Sequence, residues 1–254
     1  GTAKPPLSIP SRIKSNESRI KGIKHHLIDI KNPNEKYTVA EYKRDAINAI
    51  KNILQKGKLP ILAGGTGLYI KAVLENLEIP AVKANAKLRE KLEREADAKG
   101  IKHLFQKLIT LDPEAAYIVD GKNPRRVIRA LEVALLTKKP FSSQRKKGAP
   151  LFDALTVGIA LPREKLRKKI EIRVDGMIKN GLVNEVKSLT KKYGPQQVAF
   201  DAIGYREIID YLHKKITLEE AVALIKKNTW AFAKRQMTWF RKDKEIQWLE
   251  SEKE

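Results

Sequence analysis

Residues 61–72 read Ile-Leu-Ala-Gly-Gly-Thr-Gly-Leu-Tyr-Ile-Lys-Ala, a short apolar run that breaks into three glycines around one threonine and resumes as an amphipathic segment. The pattern predicts a strand, a tight turn and a helix. Glycines at such a turn let backbone approach a ligand closely, and the helix start after Thr66 offers unpaired N–H groups to an anion. The turn is therefore a candidate site for phosphate or a nucleotide. Gly64-Gly65-Thr66-Gly67 matches neither the P-loop spacing nor the dinucleotide fingerprint, so glycines used purely for turn geometry are the competing reading.

Upstream, Thr38-Val39-Ala40-Glu41 has capping-box spacing, and Ala46, Ala49, Ile50, Ile53 and Leu54 form a stripe that stops before Gly57. A helix that feeds a strand and then a second helix is α/β wiring, with ligands expected at the carboxyl edge of the sheet. His25 to Ile30 is a further strand candidate, and residues 1–24 read as an irregular connection. Gly1-Thr2-Ala3-Lys4-Pro5-Pro6 reads as a loop entered from an upstream segment.

From about residue 84 to 150 the pattern changes to helices without strands. Ala86 to Lys99 and Ile101 to Leu108 carry helical spacing, Asp112-Pro113 starts another helix, and Asn123-Pro124 starts the one through Leu136. Leu155 to Leu161 then reads as a buried strand, because it is almost continuously apolar. Helices follow over 163–180, 182–192, 202–213 and from Thr217 onward, and Ile246 to Leu249 offers a last strand. The resulting division is a first core part over 1–83, a helical insertion over 84–150 and a second core part over 151–254.

Lys and Arg number 52 against 30 Asp and Glu, giving a net charge of +22, which favours a polyanionic partner over a merely solvated lysine-rich surface. There is no cysteine, so disulfides, iron–sulfur clusters, thiol catalysis and cysteine-based zinc sites are excluded. No run is long enough to span a membrane and no signal peptide heads the chain. The expectation is a cytoplasmic monomer with no membrane partner.

Cations cluster at several places. Arg125, Arg126 and Arg129 line one helix start, where forked guanidinium donors suit phosphate or base edges, although a solvated basic face has the same pattern. Arg89 lies beside Glu90, in position for a surface ion pair. Ile170, Val174, Met177 and Ile178 define a buried stripe that leaves Arg173 at the core edge, either facing a cleft or snorkelling from a helix flank. Ala202-Ile203-Gly204-Tyr205-Arg206 combines a close-approach glycine, an aromatic and a cation, a grip suited to single-stranded RNA unless Tyr205 packs inward.

Five motifs occur in one order: His25-His26-Leu27-Ile28-Asp29, Leu59 to Leu62 before Gly64-Gly65-Thr66-Gly67-Leu68-Tyr69, Arg126 to Val133, Ile203 to Glu207, and Ala233 to Arg241. In that register the chain closely resembles the bacterial tRNA dimethylallyltransferases, also called tRNA isopentenyltransferases. The resemblance implies a P-loop NTPase-like parallel-sheet core of nucleotide-binding (ATP-binding) type with an all-helical insertion domain. It implies transfer of a dimethylallyl group from dimethylallyl diphosphate to N6 of the adenosine just 3′ of the anticodon, with the base flipped into a channel and Mg²⁺ on the diphosphate. By motif, Thr66 would hydrogen-bond the target adenosine, and Arg89, Arg125, Arg126 and Arg129 would hold the anticodon stem-loop. Asp201, Ala202, Ile203, Gly204, Tyr205 and Arg206 would also touch tRNA. Arg173 would contact the diphosphate and stabilise charge on the leaving oxygen, which with Thr66 makes it the catalytic pair.

Two departures follow from the same resemblance. The family's P-loop, its first core strand and the Asp-Ser segment that supplies the general base precede the Gly-Thr-Ala-Lys-Pro motif at which this chain begins, so little or no transferase activity is expected of this polypeptide alone. At Asp201 the resemblance leads one to expect a neutral or basic residue. An adenylate isopentenyltransferase acting on free nucleotides, and a non-catalytic RNA-binding protein, are the competing functions.

Overall fold

The computed structural model describes residues 19–20 (backbone), 22–80, 82, 85–144 and 146–250. The expectations for residues 1–18 and for the boundary at 83–84 lie outside the described residues. The fold is α/β and forms two compact units, Gly1–Ile70 with Ala154–Glu254, and Lys71–Asp153.

In the first unit a short antiparallel hairpin pairs β1 (Arg19–Ile20) with β2 (Ile23–Lys24), turning at Gly22, whose φ is +80°. The hairpin falls where an irregular connection was expected. The strand expected at His25 to Ile30 does not form, because Leu27 and Asp29 take positive φ of 60° and 51°, a left-handed geometry that bends the chain out of any ladder. Helix α1 (Val39–Leu54) starts at a complete capping box: Thr38 accepts from the Glu41 N–H at 3.2 Å, and Glu41 accepts from the Thr38 N–H at 2.7 Å. Helix α2 (Gly67–Leu74) follows the glycine turn, and its Tyr69 stacks on Tyr42 of α1 with ring centroids 4.4 Å apart.

The strand expected over 61–63 is a second correction. Residues 58–64 run without a ladder partner among the described residues, and Leu59 and Ile61 are 84% and 82% exposed. An extended segment becomes a strand only when neighbouring backbone groups pair with it. Strand β3 (Val157–Ala160) is likewise shorter than the apolar run that contains it, and not buried, since Ile159 is 71% exposed. It pairs in parallel with β4 (Gln247–Glu250), from Val157 opposite Gln247 to Ala160 opposite Glu250. A Cβ on Gly158 would lie 2.6 Å from the ring of Trp248, its cross-strand partner, so the absent side chain makes room for the indole.

Four helices build the unit's core: α7 (Arg163–Lys179), α8 (Leu182–Tyr193), α9 (Tyr205–Leu212) and α10 (Leu218–Phe240), numbered after four in the second unit. Their apolar stripes meet at Ile170, Val174, Leu182, Val186, Ile208 and Ile225. Burial of side chains of this size contributes roughly 1.5–3 kcal/mol each. Helix α9 starts three residues later than its periodicity predicts, because Gly204 takes φ +98° and interrupts the helical path.

The second unit packs α3 (Ala86–Lys99), α4 (Ile101–Leu111), α5 (Ala115–Ile118) and α6 (Pro124–Thr137) around Leu92, Leu104, Leu108, Val127 and Leu131. Asn85 and Asn123 cap α3 and α6, each accepting from the N–H three residues on. The helix expected to start at Asp112-Pro113 is only the single turn α5. The Asp112 carboxylate is instead buried and accepts from the Ser142 N–H at 2.8 Å and its hydroxyl at 2.7 Å. The unit's entry and exit are tied together, with the Glu78 N–H on the Lys146 carbonyl at 2.9 Å and Lys147 on Glu75 at 3.2 Å.

Candidate functional site

The glycine turn is built against the end of α10. The Gln236 Nε2 donates to the Gly65 carbonyl at 2.9 Å, and a Cβ on Gly65 would sit 2.0 Å from that nitrogen. A Cβ on Gly67 would sit 2.0 Å from Trp239 Nε1. These two glycines are thus required by the approach of α10, whereas Gly64 has open space around it. Gly65 and Gly67, not Gly64, are the close-approach positions of the turn. Thr66 caps α2, its carbonyl accepting from the Tyr69 and Ile70 N–H groups at 2.9 and 3.2 Å. Its side chain is exposed, and its hydroxyl has no hydrogen-bond partner among the described residues.

Arg173 lies on the exposed side of α7, one residue before buried Val174. Its guanidinium forms no ion pair or hydrogen bond among the described residues, which leaves all its donors for an anion.

The segment 201–206 forms a single tight unit between a 3-10 turn, Val198–Asp201, and α9. The Gly204 N–H donates to Glu207 Oε2 at 2.8 Å, and Asn228 of α10 donates to Glu207 Oε1 at 2.7 Å. Glu207 is only 3% exposed, so both of its oxygens are used where water does not reach. Tyr205 is turned inward: its ring stacks on Phe200 with centroids 5.8 Å apart, and its hydroxyl donates to Glu185. Burial and the Glu185 carboxylate push the phenol well above its usual range, so it stays protonated. Tyr205 is therefore a packing residue here, not an open stacking platform. Arg206 stays exposed, and beside it opens a shallow cleft of about 220 Å³ lined by Gln197, Val198, Asp201, Arg206 and Asp210.

In the helical unit the four candidate arginines separate into two classes. Arg89 makes a two-pronged contact with Glu132, Nε to Oε1 at 2.9 Å and Nη2 to Oε2 at 2.8 Å. Arg129 adds Nη1 to the same Oε2 at 2.6 Å and reaches the Val82 carbonyl at 3.1 Å. The Asn85 N–H completes the set at 2.7 Å. Glu132 is 0% exposed; burial works to raise its pKa, but the hydrogen bonds from Arg89, Arg129 and Asn85 outweigh it and hold the carboxyl below its usual range. Arg89 therefore pairs with Glu132 rather than with its neighbour Glu90, which faces Arg94. Arg125 and Arg126 are exposed, and the Arg126 guanidinium has no partner among the described residues.

Sequence reasoning missed Glu132, Glu207, Asn228 and Gln236. A faint signal existed for the first, an acid inside the apolar run Ala130-Leu131-Glu132-Val133-Ala134, three residues after an arginine. Nothing in the sequence pairs Gln236 with Gly65, 171 positions away.

A family model described as IPP transferase matches residues 7–243. The chain belongs to the IPP transferase family. A tRNA dimethylallyltransferase from Acetivibrio thermocellus is 44% identical over 253 residues, which are 98% of this chain and 78% of that protein. One from Desulforudis audaxviator is 43% identical over 255 residues, covering 99% and 79%. Among solved structures, the full-length tRNA isopentenylpyrophosphate transferase from Bacillus halodurans superposes with a TM-score of 0.63 at 38% identity, covering 91% of this chain and 72% of that one. A eukaryotic dimethylallyltransferase acting on tRNA gives a TM-score of 0.72 at 26% identity over 91% and 60%. Among the described residues no helix is long and apolar enough to cross a membrane.

Proposed function

We propose that the chain acts in tRNA modification as a dimethylallyltransferase, an enzyme that prenylates N6 of the adenosine 3′ of the anticodon. The carrying observation is that one unit holds both an exposed Thr66 hydroxyl, on a turn braced by α10, and the exposed Arg173 guanidinium, neither with a partner among the described residues. In the transfer, N6 bonds to C1 of the dimethylallyl group as the C1–O bond breaks. The electron pair stays on the diphosphate oxygen, and the proton that N6 gives up passes to solvent or to the departing diphosphate. Thr66 orients the adenine by hydrogen bonding, and Arg173 stabilises the charge that develops on the leaving oxygen. Arg125, Arg126 and Arg206, all exposed, are the cations offered to the anticodon stem-loop. The core is read as P-loop-like and the 71–153 unit as its helical, tRNA-binding insertion.

Mg²⁺ on the diphosphate belongs to the same reading, yet among the described residues no three His, Asp or Glu side chains gather to hold a metal.

The test is binding and turnover with an anticodon stem-loop that carries the target adenosine. That RNA should bind more tightly than an unrelated hairpin of equal length and charge. In any preparation that turns over, Arg173→Ala should lower the transfer rate at least tenfold while changing RNA affinity less than about twofold. Equal affinity for both RNAs, or an unchanged rate, counts against the assignment.

A further inference from the structure

The two loops assigned to RNA are joined by one helix. α10 carries Asn228, which holds Glu207 and through it the Gly204 turn, and Gln236, which holds the Gly65 carbonyl next to Thr66. Eight residues of α-helix separate these carboxamides by about 12 Å along the axis. The helix is anchored on the α7–α8–α9 core: Ala221 and Ile225 near its start are fully buried, and Trp230 and Ala233, between the two carboxamides, pack against the same cluster. Neither bond is incidental to packing. Gly65 and Gly67 leave no room for a side chain against Gln236 and Trp239, and Glu207 is a buried carboxylate whose second oxygen takes its hydrogen bond from Asn228, with the Arg206 guanidinium 3.6 Å away.

We infer that Gln236 and Asn228 are positioning residues, and that α10 is a ruler setting the separation of the adenine-reading turn from the loop that grips the surrounding RNA. Gln236 acts through the Gly65 peptide on the direction in which Thr66 presents its hydroxyl. Trp239 closes the other side of the same turn, so the turn cannot shift toward α10 to compensate. Asn228 acts through Glu207 on Gly204, whose φ of +98° is open to glycine and whose N–H is held by the Glu207 carboxylate. The two residues consequently control different properties: Gln236 controls base discrimination, and Asn228 controls overall grip. This rests on the reading that Thr66 faces the target adenosine and that residues 201–206 face RNA.

The test uses the full chain and two stem-loops that differ only in having adenosine or guanosine at the target position. The unaltered protein should prefer adenosine. Gln236→Glu and Gln236→Met keep the side chain's length but remove its N–H donors. Both should reduce the preference by about tenfold, the factor that 1.4 kcal/mol of coupling represents, while affinity for the guanosine RNA stays within about twofold. Asn228→Ala should weaken both RNAs by a common factor and leave their ratio unchanged. A general folding defect lowers the two affinities together and does not move the ratio, so the ratio separates positioning from stability for Gln236; for Asn228 a urea midpoint close to that of the unaltered protein, beside the weakened binding, makes the same separation. Loss of preference in the unaltered protein would sink the assignment of Thr66 itself. Preserved preference in both Gln236 variants, or a changed ratio in Asn228→Ala, overturns the ruler.

Discussion

At the residue scale, the glycine turn shows how one sequence motif contains positions of different physical meaning. Gly67 begins α2 with the Trp239 indole where a Cβ would go, so Gly67→Ala must displace an aromatic ring. Gly64 meets nothing within 4 Å. Overpacking of this kind costs about 1–3 kcal/mol, while Gly64→Ala should stay within about 0.5 kcal/mol of the unaltered protein. Urea denaturation of the two variants checks the difference, and similar losses in both would show that the turn is not braced as described. The same distinction applies to the arginines. Guanidinia that look equivalent in Arg125-Arg126…Arg129 have different fates, because Arg129 lies one turn before Glu132 and is drawn onto it.

At the element scale, the Arg89–Glu132–Arg129 cluster clamps α3 to α6. Glu132→Ala removes the shared acceptor and should cost about 2 kcal/mol, below the 3–5 typical of broken buried pairs because both guanidinia are more than a third exposed and can be rehydrated. The pH dependence has a definite sign. The folded carboxyl titrates below its ordinary value of 4.5, so its contribution is complete above that value and is lost as pH falls through the depressed folded value. Thermal unfolding of the Glu132→Gln variant should therefore differ most from the unaltered protein near neutrality, and the two curves should converge as the pH falls through the depressed folded value. A constant gap across that window would remove Glu132 ionisation as the cause. The clamp was only half legible in advance, since the i, i+3 relation of Arg129 to Glu132 is local but the approach of Arg89 is 43 positions away.

At the scale of the whole molecule, a net charge of +22 makes polyanion binding steeply salt-dependent, whichever residues read the RNA. Arg126, exposed and unpartnered among the described residues, should contribute to that slope, whereas Arg89 is already occupied by Glu132. Measured over a range of salt, Arg126→Ala should reduce the slope of log K against log salt by roughly 0.7–0.9, the value of one phosphate contact. Arg89→Ala should lower unfolding stability with a smaller change in slope. The reverse pattern would exchange their roles.

Local sequence was sufficient for features whose cause lies within a few residues. The capping boxes at Thr38 and Thr217, the Asn123-Pro124 helix start and the apolar stripes of α7 to α10 all arise from contacts one helical turn long. The order of the five motifs likewise pointed to the family, because several independent matches in register rarely coincide. Strands were less legible: Leu59 to Ala63 has strand composition, but a strand exists only through a partner's backbone, and none pairs with it among the described residues. Beyond reach altogether were the roles of Gln236 and Asn228 and the half of the Glu132 clamp that Arg89 supplies. Each depends on a contact made across the packed fold, between residues whose separation along the chain carries no information about their separation in space.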